Sequence, residues 1–358
     1  MRRPPRPPRP LRWPRRSASL ALVFLAPILA PTLAPLYAPL QAQASDPGLA
    51  RLESELLRLS VIARGKVGVG LIHVESGREL FINRDDAFPM ASTFKVPVAV
   101  QFLTKVDNGS ASLDSMVTLK PSDLHPGSGT LSNLFDDPGV SISYRNLIEL
   151  MLLISDNTAT DLMLKAAGGG GAVNARLAAL GVRGISVDRP TILLIADAIG
   201  VRNLGPESEW SNKKFGAMAR AVSEADQKTA AAAFYRDRRD TSTPEGMARL
   251  LRKIWQREAL SESSSALLLD IMLRCQTGES RIKGMLPPGT PVMHKTGSLG
   301  IGVTDDVGII TLPEGAGHLI ITVFVKEATA DVAAQERTIA QIARAAYDYF
   351  LYTSSSPR

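Results

Sequence analysis

The segments of this chain that read as β-strand lie at its two ends. Near the start, "KVGVGLIHVESGRELFIN" (66–83) splits into two apolar runs around Ser76-Gly77, a hairpin pattern. Near the end, "TPVMHKTGS" (290–298), "DDVGIITLP" (305–313) and "GHLIITVFVKE" (317–327) read as three further strands, the last two joined by a turn at Glu314-Gly315. Strands need partners for their backbone groups. The two ends are therefore expected to meet in one sheet, with the helical middle inserted: an α+β layout. Helices expected over 48–64 and from about Asp331 to Tyr352 would cover that sheet. The expected division is a discontinuous sheet domain, 45–90 and 241–358, and a helical domain, 91–240. With 358 residues and 45% hydrophobic content, the chain is large enough for one big core or two smaller ones.

Residues 1–44 are set apart from this fold. Seven arginines (Arg2, Arg3, Arg6, Arg9, Arg12, Arg15, Arg16) precede the apolar run "SLALVFLAPILAPTLAPL", and "QAQAS" follows with small residues ending at Ala44. This order is that of a cleaved secretory signal peptide, and Pro27, Pro31 and Pro35 argue against a retained anchor. The expected location is therefore secreted or periplasmic. Taking the leader's seven arginines from the 41 basic residues leaves 34 against 35 acidic ones, so nothing suggests a nucleic-acid partner. Cys275 is the only cysteine and reads as a small buried apolar residue, and the four histidines lack metal-ligand spacing. No metal or cofactor is expected.

Three short motifs carry chemistry. In "FPMASTFKVPVAVQFL" (88–103), Ser92 and Lys95 stand three residues apart at the mouth of an apolar helix, on one face. A buried lysine is held neutral more easily and can take a proton from a serine beside it. Alone, the pair also fits a helix cap and a surface lysine, and Ser211-Asn212-Lys213-Lys214 has the same spacing without a role. Ser155-Asp156-Asn157 breaks two apolar helices, "YRNLIELMLLI" and "TATDLMLKAAGGGG", with Thr158 and Asp161 placed as a capping box for the second. Lys295-Thr296-Gly297 lies on a strand and pairs a cation with a hydroxyl, while Gly297 permits close approach of another backbone.

In this order the three motifs form the set of class A β-lactamases and penicillin-binding proteins. The chain resembles the class A β-lactamases over most of its length, through "HPGSGTL", "SDNTATDLML", "DTSTPEGMARLLRK", "RCQTGESRIKGMLPPGT", "HKTGS" and "TDDVGIITLP". The resemblance implies an antiparallel sheet flanked by helices beside an all-helical domain, with the site between them. It implies Ser92 as nucleophile, Lys95 as base or proton shuttle, and Ser155 as relay to the leaving nitrogen. Asn157 would bind the substrate's amide side chain, and Lys295, Thr296 and Ser298 its carboxylate. The backbone N–H groups of Ser92 and Ser298 would form the oxyanion hole. Arg281, 14 residues before Lys295, matches a carboxylate-binding arginine of some members. Asp156, Arg189 and Asp240 would be structural, the last two as an ion pair closing an omega-type loop.

One element departs from the family. There, a Glu two residues after the arginine activates the deacylating water, and an Asn four further helps hold it. Here those positions in "DRPTILLIAD" are Thr191 and Ile195. The segment 190–239 is also extended to 50 residues, and "KKFGAMARAVSEADQKTAAAAFYRD" reads as one or two helices within it. Asp197, Glu207, Glu209 and Glu224 are its candidate replacement bases. Three functions follow: a secreted monomeric serine β-lactamase, a D,D-peptidase-like enzyme that a β-lactam or acyl-D-Ala-D-Ala-like peptide acylates but that releases it slowly, or a non-catalytic periplasmic binding protein. Retention of Ser92, Lys95, Ser155, Asn157 and Lys295 argues against the last.

Overall fold

The computed structural model describes residues 46–135 and 139–354; the expected leader lies outside them. Both ends of the chain build one five-stranded antiparallel sheet. Strands β1 (Lys66–His73) and β2 (Glu79–Ile82) come from the start, and β7 (Val292–Leu299), β8 (Val303–Thr311) and β9 (His318–Lys326) from the end, in the order β2-β1-β9-β8-β7. Alternation along β1 explains its composition. Val67, Val69 and Leu71 point into a core shared with helices α1 (Pro47–Ser60) and α12 (Val332–Ser354). A Cβ at Gly68 would come within 2.5 Å of Phe88, and one at Gly70 within 2.7 Å of Pro244 O. The glycines thus let helix α10 (Pro244–Trp255) lie close against the other face. No helix among the described residues is long and apolar enough to cross a membrane.

The inserted part packs on that second face. Helix α2 (Lys95–Asp107) is buried at Val96, Val98, Val100, Phe102 and Leu103. Around it stand α4 (Tyr144–Leu153), α5 (Asn157–Ala167), α6 (Gly169–Ala179) and α11 (Glu262–Leu273), with the short α3 (Leu131–Leu134) and a small ladder of β4 (Met116–Thr118) on β5 (Ser141–Ser143). The core they share includes Ile320 and Phe324 of the sheet, so the helical and sheet parts are packed as one body.

Two local expectations are corrected. The Thr158–Asp161 capping box does not form. Asp156 caps α5 instead, accepting from Ala159 N at 2.8 Å. Thr158 accepts from His125 N at 2.9 Å, and Asp161 caps a helix 30 residues on. The glycines after "LKAA" do not simply end a helix: Gly168, in the left-handed region at φ 100, closes α5, and α6 begins at Gly169.

The segment 190–239 folds into three helices: α7 (Thr191–Ile199), α8 (Asn212–Ala221) and α9 (Glu224–Phe234). The last two fall within the stretch expected to be helical; α7 was not expected. Its N-cap residue, Pro190, supplies no side-chain cap, and Asp161 takes Thr191 N at 2.6 Å and Ile192 N at 3.3 Å. A cap so distant in sequence leaves no local signal. Ile192, Ala196, Val201, Leu204 and Phe215 give the segment its own small core. A second cluster, Leu194, Ala198 and Phe234, reaches Leu299 and Ile301 at the β7–β8 turn. The Tyr235 hydroxyl donates to Ile301 O there.

The segment is closed at its base. Arg189 Nε lies 2.6 Å from Asp240 Oδ2, and Asp240 also accepts from Asp188 N and Arg189 N. Directly after Asp240, β6 (Thr241–Ser242) pairs with β3 (Phe88–Pro89). Asp240 is 1% exposed. Asp240→Asn takes from the buried Arg189 guanidinium one of its three carboxylates, Asp197 and Asp237 remaining, and is expected to cost about 1–3 kcal/mol of stability, measured by urea denaturation.

Candidate active site

Ser92 lies in a four-residue 3₁₀ turn, Ala91–Phe94, and α2 begins only at Lys95. The expected single helix is thus a tight turn feeding a helix. Residues three apart eclipse in a 3₁₀ turn, so Ser92 and Lys95 still share a face. Ala91 enters the turn at φ 42, a strained value for a side chain with a Cβ. The turn is held by Thr93 Oγ1, which donates to Met90 O at 2.7 Å, and by Met90 N, which donates to Asp240 O at 3.0 Å. Strand β7 runs against it. A Cβ at Gly297 would stand 2.6 Å from Met90 O and 3.1 Å from Ala91 Cβ. The backbone that Gly297 admits is therefore that of the Ser92 turn.

Lys95 is fully buried, and its Nζ lies 2.7 Å from Ser155 O and 3.0 Å from both Ser155 Oγ and Asn157 Oδ1. Burial holds its amine well below the usual lysine range, Lys295 adds to this, and Asp161 and Asp156 oppose it. Ser155 occupies the break between α4 and α5 at φ 62. Lys295 Nζ reaches the same Ser155 Oγ at 3.0 Å and Thr296 O at 2.9 Å. Burial brings Lys295 down to about 8, with Cys275 and Asp306 resisting and Arg281 assisting. One hydroxyl thus stands between two amines from opposite ends of the chain. With both of its lone pairs occupied, its own proton is free to be donated outward.

The remaining expected residues gather around these. Asn157 Nδ2 donates to Pro126 O at 2.8 Å, and Gly127, at φ 102, lies against the Asn157 side chain. Asp156 Oδ2 accepts from Thr130 N at 2.7 Å and Leu131 N at 2.9 Å, tying the "HPGSGTL" loop to the break. Thr296 Oγ1 lies 2.6 Å from Thr277 Oγ1, a partner the motif reading missed. Arg281 is buried and fixed: Nη1 donates to Gly297 O and Asp305 O at 2.9 Å each, Nε to Glu336 at 3.1 Å, and Nη2 to the exposed Ser298 Oγ at 2.7 Å. It therefore meets the outer end of β7 through Ser298.

None of the four carboxylates proposed to replace the missing Glu has a described hydrogen bond to this cluster. Asp197 holds Arg189, Arg202 and Arg239; Glu207 pairs with Lys165 and Glu209 with Lys214, both exposed; Glu224 is exposed in the first turn of α9. Thr191 is 4% exposed, and its Oγ1 is buried without a hydrogen-bond partner. Asp161, which caps α7 at Thr191, was missed as anything but a capping residue of α5. It also binds His125 Nδ1 at 2.5 Å.

Comparison with known proteins shows the family and the fold. A model of the "Beta-lactamase enzyme family" matches residues 51–350. The extended-spectrum beta-lactamase PER-1 of Pseudomonas aeruginosa is 29% identical, over 84% of this chain and 87% of that protein. A beta-lactamase of Bacteroides uniformis is also 29% identical, over 84% and 91%. Among solved structures, a beta-lactamase from Chitinophaga pinensis superposes with a TM-score of 0.68 at 29% identity, covering 83% of this chain and 98% of the other.

Proposed function

The chain belongs to the class A β-lactamase family, and from that premise we propose that it is a secreted, monomeric serine β-lactamase that opens the β-lactam amide through an acyl-Ser92 intermediate. The observation that carries the reading is the Ser155 hydroxyl held at 3.0 Å by both Lys95 and Lys295, with Lys95 three residues from Ser92. Ser92 Oγ attacks the lactam carbonyl carbon, and the new C–O bond replaces the ring C–N bond. The serine proton passes to Lys95, which burial keeps ready to accept it. Ser155 hands a proton to the departing ring nitrogen and is resupplied by Lys95. The backbone N–H groups of Ser92 and Ser298 stabilise the oxyanion. Lys295, Thr296 and Ser298, the last backed by Arg281, receive the substrate carboxylate, and Asn157 binds the amide side chain.

A second reading is favoured by Thr191: an enzyme that acylates in this way but lacks the carboxylate needed to release the product quickly. The test is to mix purified mature protein with a chromogenic cephalosporin and follow colour and protein mass together. Sustained turnover is the expected result. A single stoichiometric burst with a stable adduct selects the second reading. Absence of any adduct with penicillins, cephalosporins and acyl-D-Ala-D-Ala peptides overturns both.

A further inference from the structure

The mechanism above gives the 190–239 segment no part, yet that segment grips the outer end of β7. Among the described residues β7 ends the sheet order, and its ladder runs to β8 on one side. Beyond Leu299 the chain turns through Gly300, Ile301 and Gly302 into β8 at Val303. Two glycines in a three-residue turn restrict the backbone little, and a Cβ at Gly300 would meet nothing within 4 Å. The turn is therefore weakly specified by its own residues. On the β8 side, Gly302 O accepts from Ala328 N at 3.1 Å. On the β7 side, the hold comes from the extension. The Tyr235 hydroxyl, at the end of α9, donates to Ile301 O. Leu299 and Ile301 pack against the cluster of Leu194 and Ala198 from α7 and Phe234 from α9.

This grip is itself anchored. The Arg189 guanidinium lies over the Phe234 ring, 5.4 Å from its centroid. Arg189 is paired with Asp197, Asp237 and Asp240, and Asp237 N donates to Phe234 O at 3.1 Å. The ion pairs at the base of the segment thus fix the end of α9, and the end of α9 fixes the turn.

We propose that the 190–239 segment is a clamp on the β7–β8 turn, in which Tyr235 and Phe234 hold the outer end of β7 so that the Ser298 backbone N–H stays aimed at the oxyanion. Both are positioning residues: they act on Ser298 through Leu299 and Ile301. The inference rests on the reading that the Ser298 N–H stabilises the oxyanion. The Gly297–Ser298 peptide is already held from its inner side, where Gly297 O accepts from Arg281 Nη1 at 2.9 Å. Leu299 follows Ser298 directly, so the clamp holds the same residue from its outer side. An oxyanion donor contributes only when it is aimed at charge that develops in the transition state. The clamp therefore bears on the acylation step and not on substrate affinity.

Three purified mature proteins test this: wild type, Tyr235→Phe and Phe234→Ala. The first variant keeps its ring and loses the donor to Ile301 O; the second loses the ring beneath Arg189. Amide hydrogen exchange, followed by NMR, is expected to quicken on the order of ten-fold at residues 299–303 in both variants and to hold at residues 292–295. Stopped-flow acylation by a chromogenic cephalosporin is expected to lose about ten-fold in its limiting rate, with the half-saturating concentration unchanged. That is less than the roughly 10²–10³ lost when an oxyanion donor is removed outright. A merely structural role would lower thermal stability and leave the limiting rate alone. Phe234→Leu, which refills the cluster, should recover most of the rate. Tyr235→Phe, the milder change, carries the test if Phe234→Ala fails to fold. Exchange unmoved in a folded variant, or a limiting rate unmoved where exchange has quickened, overturns the proposal. If no β-lactam acylates Ser92 in wild type, the assigned function fails, and the exchange result alone decides whether the segment clamps the turn.

Discussion

Ser92→Ala is expected to eliminate both the covalent adduct and chromogenic turnover, with a loss on the order of 10⁶-fold, the scale seen when a serine hydrolase loses its nucleophile. The loss should come without unfolding. The 3₁₀ turn has no side-chain cap, and its geometry is held by Thr93 Oγ1 and the backbone of Met90. The Ser155 hydroxyl and both lysine amines keep their mutual bonds when Ser92 is truncated, because none of them runs through it. Thermal denaturation close to wild type, together with intact-protein mass showing no added β-lactam, is the expected pair of results. An adduct of undiminished yield on the Ala variant would place the nucleophile elsewhere.

Thr191→Glu is expected to shorten the life of the acyl-enzyme by roughly 10²- to 10⁴-fold, equivalent to about 3–5 kcal/mol of barrier. A glutamate at 191 would fill the position that the family's Glu holds, two residues after the arginine. Arg189, two residues earlier, is fixed by Asp240, and Thr191 opens α7, where the helix dipole favours negative charge. Thr191 Oγ1 is a buried polar atom without a partner. Asp161, bonded to Thr191 N at 2.6 Å, would be a close like charge, and that neighbour would raise the pKa of a new glutamate toward what a general base needs. Adduct lifetime after rapid removal of free cephalosporin, followed by mass, gives the answer. An unchanged lifetime in a folded variant would show that water is activated from another direction.

Much of the architecture was legible because it is written locally. Alternating Val and Gly in β1, the turn residues between β8 and β9, and the apolar run of α4 each carry their own period or punctuation. So did the chemistry at the level of motif order: Ser92 with Lys95, then Ser155 to Asn157, then Lys295 to Gly297. The errors came where a partner is distant. Thr158 and Asp161 fit a capping box by spacing, yet each bonds a residue about 30 positions away, His125 and Thr191.

From its residues alone this chain determined the pairing of its two ends into one sheet, the residue types at its candidate site, and the absence of a glutamate two positions after Arg189. Only the tertiary structure decided that one hydroxyl, Ser155 Oγ, would be shared by amines 60 and 140 residues away in sequence, that both would be fully buried, and that Asp161 would start α7. The physical reason is range. Periodicity, turns and motif spacing are properties of neighbouring residues. Desolvation, which depresses a lysine, and the supply of a cap or counter-charge from across the molecule exist only once the chain has closed around them.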